Sequence, residues 1–96
     1  SDKCNLPLCK SVVIKFDIVG KYKQDASLFF MTYNAESGNR ISSFSSKFTV
    51  YTSKNNNVIY FDVPPEAKTF KIAIKVHNNL DYNVMELSEV QLICYS

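Results

Sequence analysis

The sequence predicts an all-β protein, an antiparallel β-sandwich made of two sheets. Hydrophobic residues form 46% of the 96-residue chain and aromatic residues 14%, and the abundance of Phe, Tyr, Val, Ile and Thr favours strands. Apolar residues recur at every second position in several segments, which is the period of a strand with one buried face. Short polar turns separate these segments. We expect one domain over residues 11–96, preceded by an irregular segment over residues 1–10.

The first two predicted strands are Ser11–Val19 and Ala26–Tyr33. Gly20 ends the first of these strands. Its alternate residues share one apolar face: Val12, Ile14, Phe16 and Ile18. The second carries bulky residues on both faces, which indicates a strand that is central or covered on both sides.

A third strand is predicted over Arg40–Thr52, with Phe48 and Val50 facing inward and an interruption at the serine run Ser42–Ser46. The residues after it, over 53–57, are expected to form a loop.

Two further strands, Val58–Val63 and Thr69–Val76, lie on either side of a turn at Pro64 and Pro65. Both alternate, and neither proline can donate a ladder hydrogen bond, so the first of them must end there. Their predicted inward residues are Ile59, Phe61, Val63, Phe70, Ile72, Ile74 and Val76.

The last predicted strand covers Val84–Tyr95. Its inward pattern shifts between Leu87 and Val90, which indicates a bulge near Ser88. We expect this strand to lie beside the first one, and we expect six side chains to be buried together between the sheets: Phe16, Phe61, Phe70, Ile72, Ile74 and Leu92.

The three cysteines lie at the two ends of the chain. Because the termini of a compact domain are often close, a disulfide from Cys9 or Cys4 to Cys94 is a candidate. The alternative is that Cys94 is a small buried apolar residue and the other two are terminal thiols. The spacing does not match a zinc site.

Charge and motifs exclude several classes of function. A net charge of +2 without a basic cluster argues against nucleic-acid binding, and no apolar run is long enough for a membrane span. With a single histidine, no Gly-rich phosphate loop and no G-x-S-x-G elbow, no catalytic activity is expected of this domain.

A ligand could be recognised by an aromatic platform beside polar groups. Tyr51 and Tyr60 lie opposite the apolar sets of their segments, and Lys71 and Lys75 share that parity, as do Lys15 and Asp17. We therefore predict one polar and aromatic sheet face; the alternative is that both tyrosines are ordinary outward strand residues.

The polar loop at residues 77–83, with His77 and Tyr82, is a second candidate site; the alternative is a solvated turn.

The order of four pieces of the chain, Val12–Gly20, Leu28–Gly38, Tyr60–Val76 and Leu87–Leu92, resembles the galactose-binding-like jelly roll of many carbohydrate-binding modules. The resemblance implies a glycan partner. The sequence leaves the location open, with an extracellular or cell-surface location favoured over a cytoplasmic one. The acidic pair that often accompanies a structural calcium in that family is Ser88-Glu89 here, and the chain lacks the Trp that commonly stacks on sugars. No cofactor is therefore expected, with calcium as a weak alternative.

Three functions remain open at the level of sequence. The first is a non-catalytic carbohydrate-binding module, an accessory domain of a larger glycan-active or cell-surface protein. The second is an oligomerisation or protein-interaction module, for example of a glycosyltransferase, and the third is a structural spacer. A monomer or a small homo-oligomer is compatible with these readings.

Overall fold

A computed structural model describes residues 4–34, 36–77 and 85–96. In this part of the chain there are seven strands and no helix. The strands are β1 (Cys4–Asn5), β2 (Ser11–Gly20), β3 (Gln24–Asn34), β4 (Arg40–Val50), β5 (Asn55–Asp62), β6 (Ala67–Val76) and β7 (Met85–Tyr95). They form a four-stranded sheet, in the order β1-β6-β3-β4, and a three-stranded sheet, in the order β5-β2-β7. All pairings are antiparallel, so the predicted fold class of two antiparallel sheets is confirmed.

Three predictions about strand limits are wrong. The loop predicted over residues 53–57 is shorter, because β5 already begins at Asn55 and its first residues pair with β2. The segment before residue 11 is not wholly irregular, because Cys4 and Asn5 pair with the edge of β6. The serine run does not interrupt β4, because Ser42, Ser43, Ser45 and Ser46 all pair with residues of β3. A serine is a poor strand former by itself, but here the neighbouring β3 supplies the hydrogen-bonding partner.

The interior is built from alternate residues of β2 and β3. Their inward side chains are at most 1% exposed: Val12, Ile14, Phe16, Ile18, Ala26, Leu28, Phe30 and Thr32. The ring of Phe30 lies 5.4 Å from that of Phe61, and the ring of Phe16 meets Phe48 edge-on at 5.2 Å. The buried Thr32 hydroxyl shares a 2.6 Å hydrogen bond with the Ser42 hydroxyl, which offsets the loss of its water partners.

The two prolines carry the chain from one sheet to the other. β5 pairs with β2 in the three-stranded sheet, whereas β6 pairs with β3 in the four-stranded sheet. The inward residues Ile59, Phe61 and Val63 are buried as predicted. β5 and β6 are therefore successive in the chain but lie in different layers of the sandwich.

One row of the predicted core is only half-buried. Phe70, Ile72, Ile74 and Leu92 pack against the core from its margin and are not enclosed by it, which corrects the prediction that they are fully buried. For Ile72 and Ile74 the reason is an apolar cleft of about 180 Å³, which these two residues line together with Leu87 and Val90 of β7.

β7 contains the expected register shift. Lys15 of β2 pairs with Gln91 and Asp17 pairs with Ser88, so Glu89 and Val90 both lie opposite Phe16. The extra residue is accommodated by Glu89, whose φ of 55° lies in the left-handed region. The predicted bulge is confirmed, and it explains why the inward pattern changes parity within β7.

We expect Phe30→Ala to lower the free energy of unfolding by about 3–5 kcal/mol, because it removes a wholly buried ring. The matched control is Phe44→Ala, since Phe44 lies opposite Phe30 in the register but is 40% exposed. The control should lose less than about 1.5 kcal/mol. Urea unfolding followed by circular dichroism measures both, and equal losses would contradict this description of the core.

A second prediction concerns the stability of variants at the bulge in β7. At position 89 the Gly variant should be more stable than the Val variant by about 1–2 kcal/mol, because a β-branched residue is strained at positive φ. At Glu86, an exposed residue of β7 in regular pairing with Val19, the order of the two variants should reverse. Thermal unfolding of the four variants checks this, and the same order at both positions would show that Glu89 is not in a bulge.

Candidate ligand-binding faces

The four residues predicted to share one face lie on different surfaces. Tyr60 is on β5, on the outside of the three-stranded sheet, whereas Lys71 and Lys75 are on β6, on the outside of the four-stranded sheet. The single polar and aromatic face built from them is therefore wrong. Parity along a strand separates inward from outward residues, but it does not specify to which sheet the strand belongs.

Tyr51 is not a strand residue, because β4 ends at Val50. Its carbonyl oxygen accepts a 2.8 Å hydrogen bond from the backbone N–H of Gly20, and the Nζ of Lys23 lies 5.7 Å from the centre of its ring. Tyr51 thus lies at the end of the sandwich where β2 and β4 finish, apart from the sheet faces.

His77 lies at the end of β6 against β3. Its Nε2 is 2.7 Å from the Ser27 hydroxyl oxygen, and its backbone N–H donates a 3.1 Å hydrogen bond to the carbonyl oxygen of Asp25. The imidazole thereby joins the outer surface of the four-stranded sheet next to Lys75, which pairs with Ser27. Tyr82, the other candidate in this loop, lies outside the described residues.

The outside of the four-stranded sheet carries a stripe of large side chains that had not been selected as a site. Phe29, Met31 and Tyr33 follow one another at every second position of the central strand β3, and all three are half-buried. The Tyr33 hydroxyl lies 3.9 Å from the sulfur of Met31, so these two side chains are in contact. The signal was present in the sequence, since both faces of this strand are apolar, but it was compatible with a covered strand.

Cationic and hydroxyl side chains border this stripe. Lys71 pairs with Met31, and its Nζ lies 5.9 Å from the centre of the Tyr33 ring, within the range of a cation–π contact. Lys47 and Lys75 pair with Ser27 on either side of β3. Ser43 and Ser45 of β4 are exposed beside Met31 and Phe29. We call this surface the basic aromatic face; it comprises Ser27, Phe29, Met31, Tyr33, Ser43, Ser45, Lys47, Lys71, Lys75 and His77.

The outside of the three-stranded sheet has a different character. Val13 of β2 lies between Tyr60 of β5 and Ile93 of β7, and Val58 and Tyr95 extend the apolar surface on either side. Tyr60 is 60% exposed, Val58 59% and Tyr95 49%. We call these five residues the apolar face. Only Tyr60 among them was a sequence candidate, because the pairing of β5 and β7 on either side of β2 brings the others together and joins segments distant in sequence.

Cys9 and Cys94 meet where the N-terminal segment crosses the end of β7. Burial, followed by a hydrogen bond with the Cys94 side chain and the charge of that group, raises the pKa of the Cys9 thiol to about 11. Beside them is an apolar pocket of about 350 Å³, lined by residues 7–10, 63–65, 67 and 96.

In the ranges 4–34, 36–77 and 85–96, no three His, Cys, Asp or Glu side chains are grouped so as to hold a metal ion. In the same ranges, no helix has the length and apolarity required for a membrane span.

Comparison with known proteins finds no relative of this chain. No family model, no curated protein and no solved structure matches the chain. The resemblance to the galactose-binding-like jelly roll stays a hypothesis. The basic aromatic face and the apolar face are the two surfaces that indicate a function.

Proposed function

We propose that this domain is a non-catalytic carbohydrate-binding module that holds a glycan on its basic aromatic face. The observation that carries the proposal is the stripe of Phe29, Met31 and Tyr33 on the central strand of a sheet, bordered by lysines and hydroxyl groups. The galactose-binding-like jelly-roll arrangement is part of the same proposal, and the two antiparallel sheets are compatible with it.

The apolar part of such a site is a surface on which a sugar ring can lie flat. Between Phe29 and Tyr33 the strand rises by roughly 13 Å, at about 3.3 Å per residue, so the stripe is extended along one direction. An aromatic ring stacked on a ligand contributes about 0.5–1.5 kcal/mol beyond the area that it buries. The half-buried state of the three side chains holds their orientation before a ligand arrives, which reduces the entropy lost on binding.

The polar part of the site favours an acidic glycan. Lys47, Lys71 and Lys75 flank the stripe on both neighbouring strands, while Asp25 is the one carboxylate at an outward position of β3. Asp25 lies at the end of the stripe and accepts a long hydrogen bond of 3.4 Å from the Thr49 hydroxyl. Carboxylate or sulfate groups on a glycan would therefore meet a surface of opposite charge.

An array of neutral and acidic glycans, followed by titration calorimetry, tests the proposal. Tyr33→Ala should weaken binding about tenfold or more, a change equal to about 1.4 kcal/mol. The control is Tyr22→Ala, which removes a 43% exposed tyrosine from the turn between β2 and β3 and should leave the affinity unchanged. Binding of an acidic glycan should also weaken as salt is raised. Equal affinity of the two variants, or no binding to any glycan, would contradict the proposal.

A second candidate function rests on the apolar face. In the apolar face Val58, Tyr60 and Tyr95 are exposed, and the half-buried Val13 and Ile93 join them into one patch. Such patches on soluble proteins commonly mark contacts with other proteins. Tyrosine is also enriched in protein interfaces. The candidate is a self-association module in which two copies bury this face against each other.

Light scattering coupled to size exclusion measures the mass in solution. If the apolar face joins two copies, Tyr60→Glu should shift the protein from dimer to monomer, because it places a charge within the contact. Tyr22→Glu, a change of the same chemistry outside the face, should leave the dimer intact. A wild-type monomer at about 100 μM, a concentration that would populate any dimer with a micromolar Kd, would contradict this second function.

A further inference from the structure

Backbone hydrogen bonds fix the N-terminal segment across the end of the sandwich. The N–H of Leu6 donates to the carbonyl oxygen of Lys68 at 2.8 Å, and that of Lys10 donates to the carbonyl oxygen of Tyr95 at 2.8 Å. The carbonyl oxygen of Lys10 in turn accepts from the N–H of Val63 at 2.9 Å. Because β2 and β7 are antiparallel, the residues before Lys10 and before Tyr95 lie on opposite sides of that bond. The chain bends at Leu8 and Lys10, and this bend carries the segment with Cys9 back toward Cys94.

The Cys94 side chain lies against the segment that carries Cys9. The Cys94 sulfur lies 3.8 Å from the carbonyl oxygen of Leu8, the residue before Cys9. The Cys94 side chain also contributes to the raised pKa of Cys9. Cys9 packs against the hydrophobic core, and both thiols are partly shielded from solvent. Both are free thiols in this structure.

We propose that Cys9 and Cys94 are a modification site: a dithiol that closes to a disulfide by exchange with a small disulfide oxidant such as oxidised glutathione. One thiolate attacks the oxidant, releases one reduced glutathione and forms a mixed disulfide. The other cysteine then attacks the protein sulfur and releases a second reduced glutathione. The two thiols thus lose two protons and two electrons, and the electrons leave on the two reduced glutathione molecules.

The bridge would join the segment before β2 to the last strand, and so connect positions 85 residues apart along the chain (94 − 9). A cross-link across so long a loop restricts the unfolded chain strongly. It would also tether Cys9, which lines the 350 Å³ apolar pocket together with Pro7 and Leu8, to the last strand. The proposal does not depend on glycan binding, and its readouts are independent of any ligand.

Cys4 is an internal control for the bridge between Cys9 and Cys94. It is exposed on β1, which pairs with β6 in the four-stranded sheet, whereas Cys94 is on β7 in the three-stranded sheet. We expect Cys4 to remain outside the bridge, as a thiol that can be alkylated.

The test incubates the whole chain with oxidised or reduced glutathione at pH 8.5, then denatures it, blocks free thiols and maps peptides by mass spectrometry. Oxidation should produce a Cys9–Cys94 cross-linked peptide while Cys4 is not part of any intramolecular bridge. The thermal midpoint should rise by more than about 5 °C relative to the reduced chain. Oxidation should be faster at higher pH, because the raised pKa of Cys9 keeps that thiol protonated at neutral pH.

Cys9→Ser and Cys94→Ser should each abolish the rise in thermal midpoint, whereas Cys4→Ser should retain it in full. These serine variants change one sulfur atom to oxygen, and the reduced chains can be compared first to verify that each is folded. Three alkylatable thiols after oxidation, a bridge that contains Cys4, or stable glutathione adducts on Cys9 and Cys94 in place of a bridge would each overturn the proposal.

Discussion

The inward row of β2 is the contact on which both sheets depend. Val12, Ile14, Phe16 and Ile18 are almost completely excluded from solvent, and their strand is hydrogen-bonded to β5 on one side and β7 on the other. Because side chains alternate along a strand, fixing this row inward also fixes the outward row, and a one-residue slip would exchange the two. The register of the three-stranded sheet, and with it the composition of the apolar face, therefore follows from four apolar residues in β2.

Period-two patterns were sufficient to identify six of the strands and the direction of most side chains. The alternation at Ile59, Phe61 and Val63 correctly identified inward residues, and the change of pattern around Ser88 correctly indicated the bulge. Local patterns could not assign strands to sheets, because that depends on pairing between residues distant in sequence. The prediction of one shared face for Tyr60, Lys71 and Lys75 was wrong for this reason.

The candidate site, too, could be predicted from the sequence only in part. The sequence showed that both faces of β3 carry large apolar side chains. The central position inferred from this pattern is confirmed. Whether Phe29, Met31 and Tyr33 were covered by another layer or faced outward could not be inferred, because the sequence does not show how many layers pack on a sheet. The lysines beside them come from β4 and β6, and only the register of these strands brings them together.

The order of strands has a consequence for how the chain acquires its structure during synthesis. β3 and β4 are successive in the chain and can pair as soon as both exist, but β2 needs β7, whose first residue, Met85, follows Gly20 by 65 positions (85 − 20). At a translation rate of about 5–20 residues per second, one edge of β2 stays unpaired for roughly 3–13 seconds. Such an edge can pair with other chains, so the nascent chain is most exposed to intermolecular strand pairing in the interval before translation reaches β7.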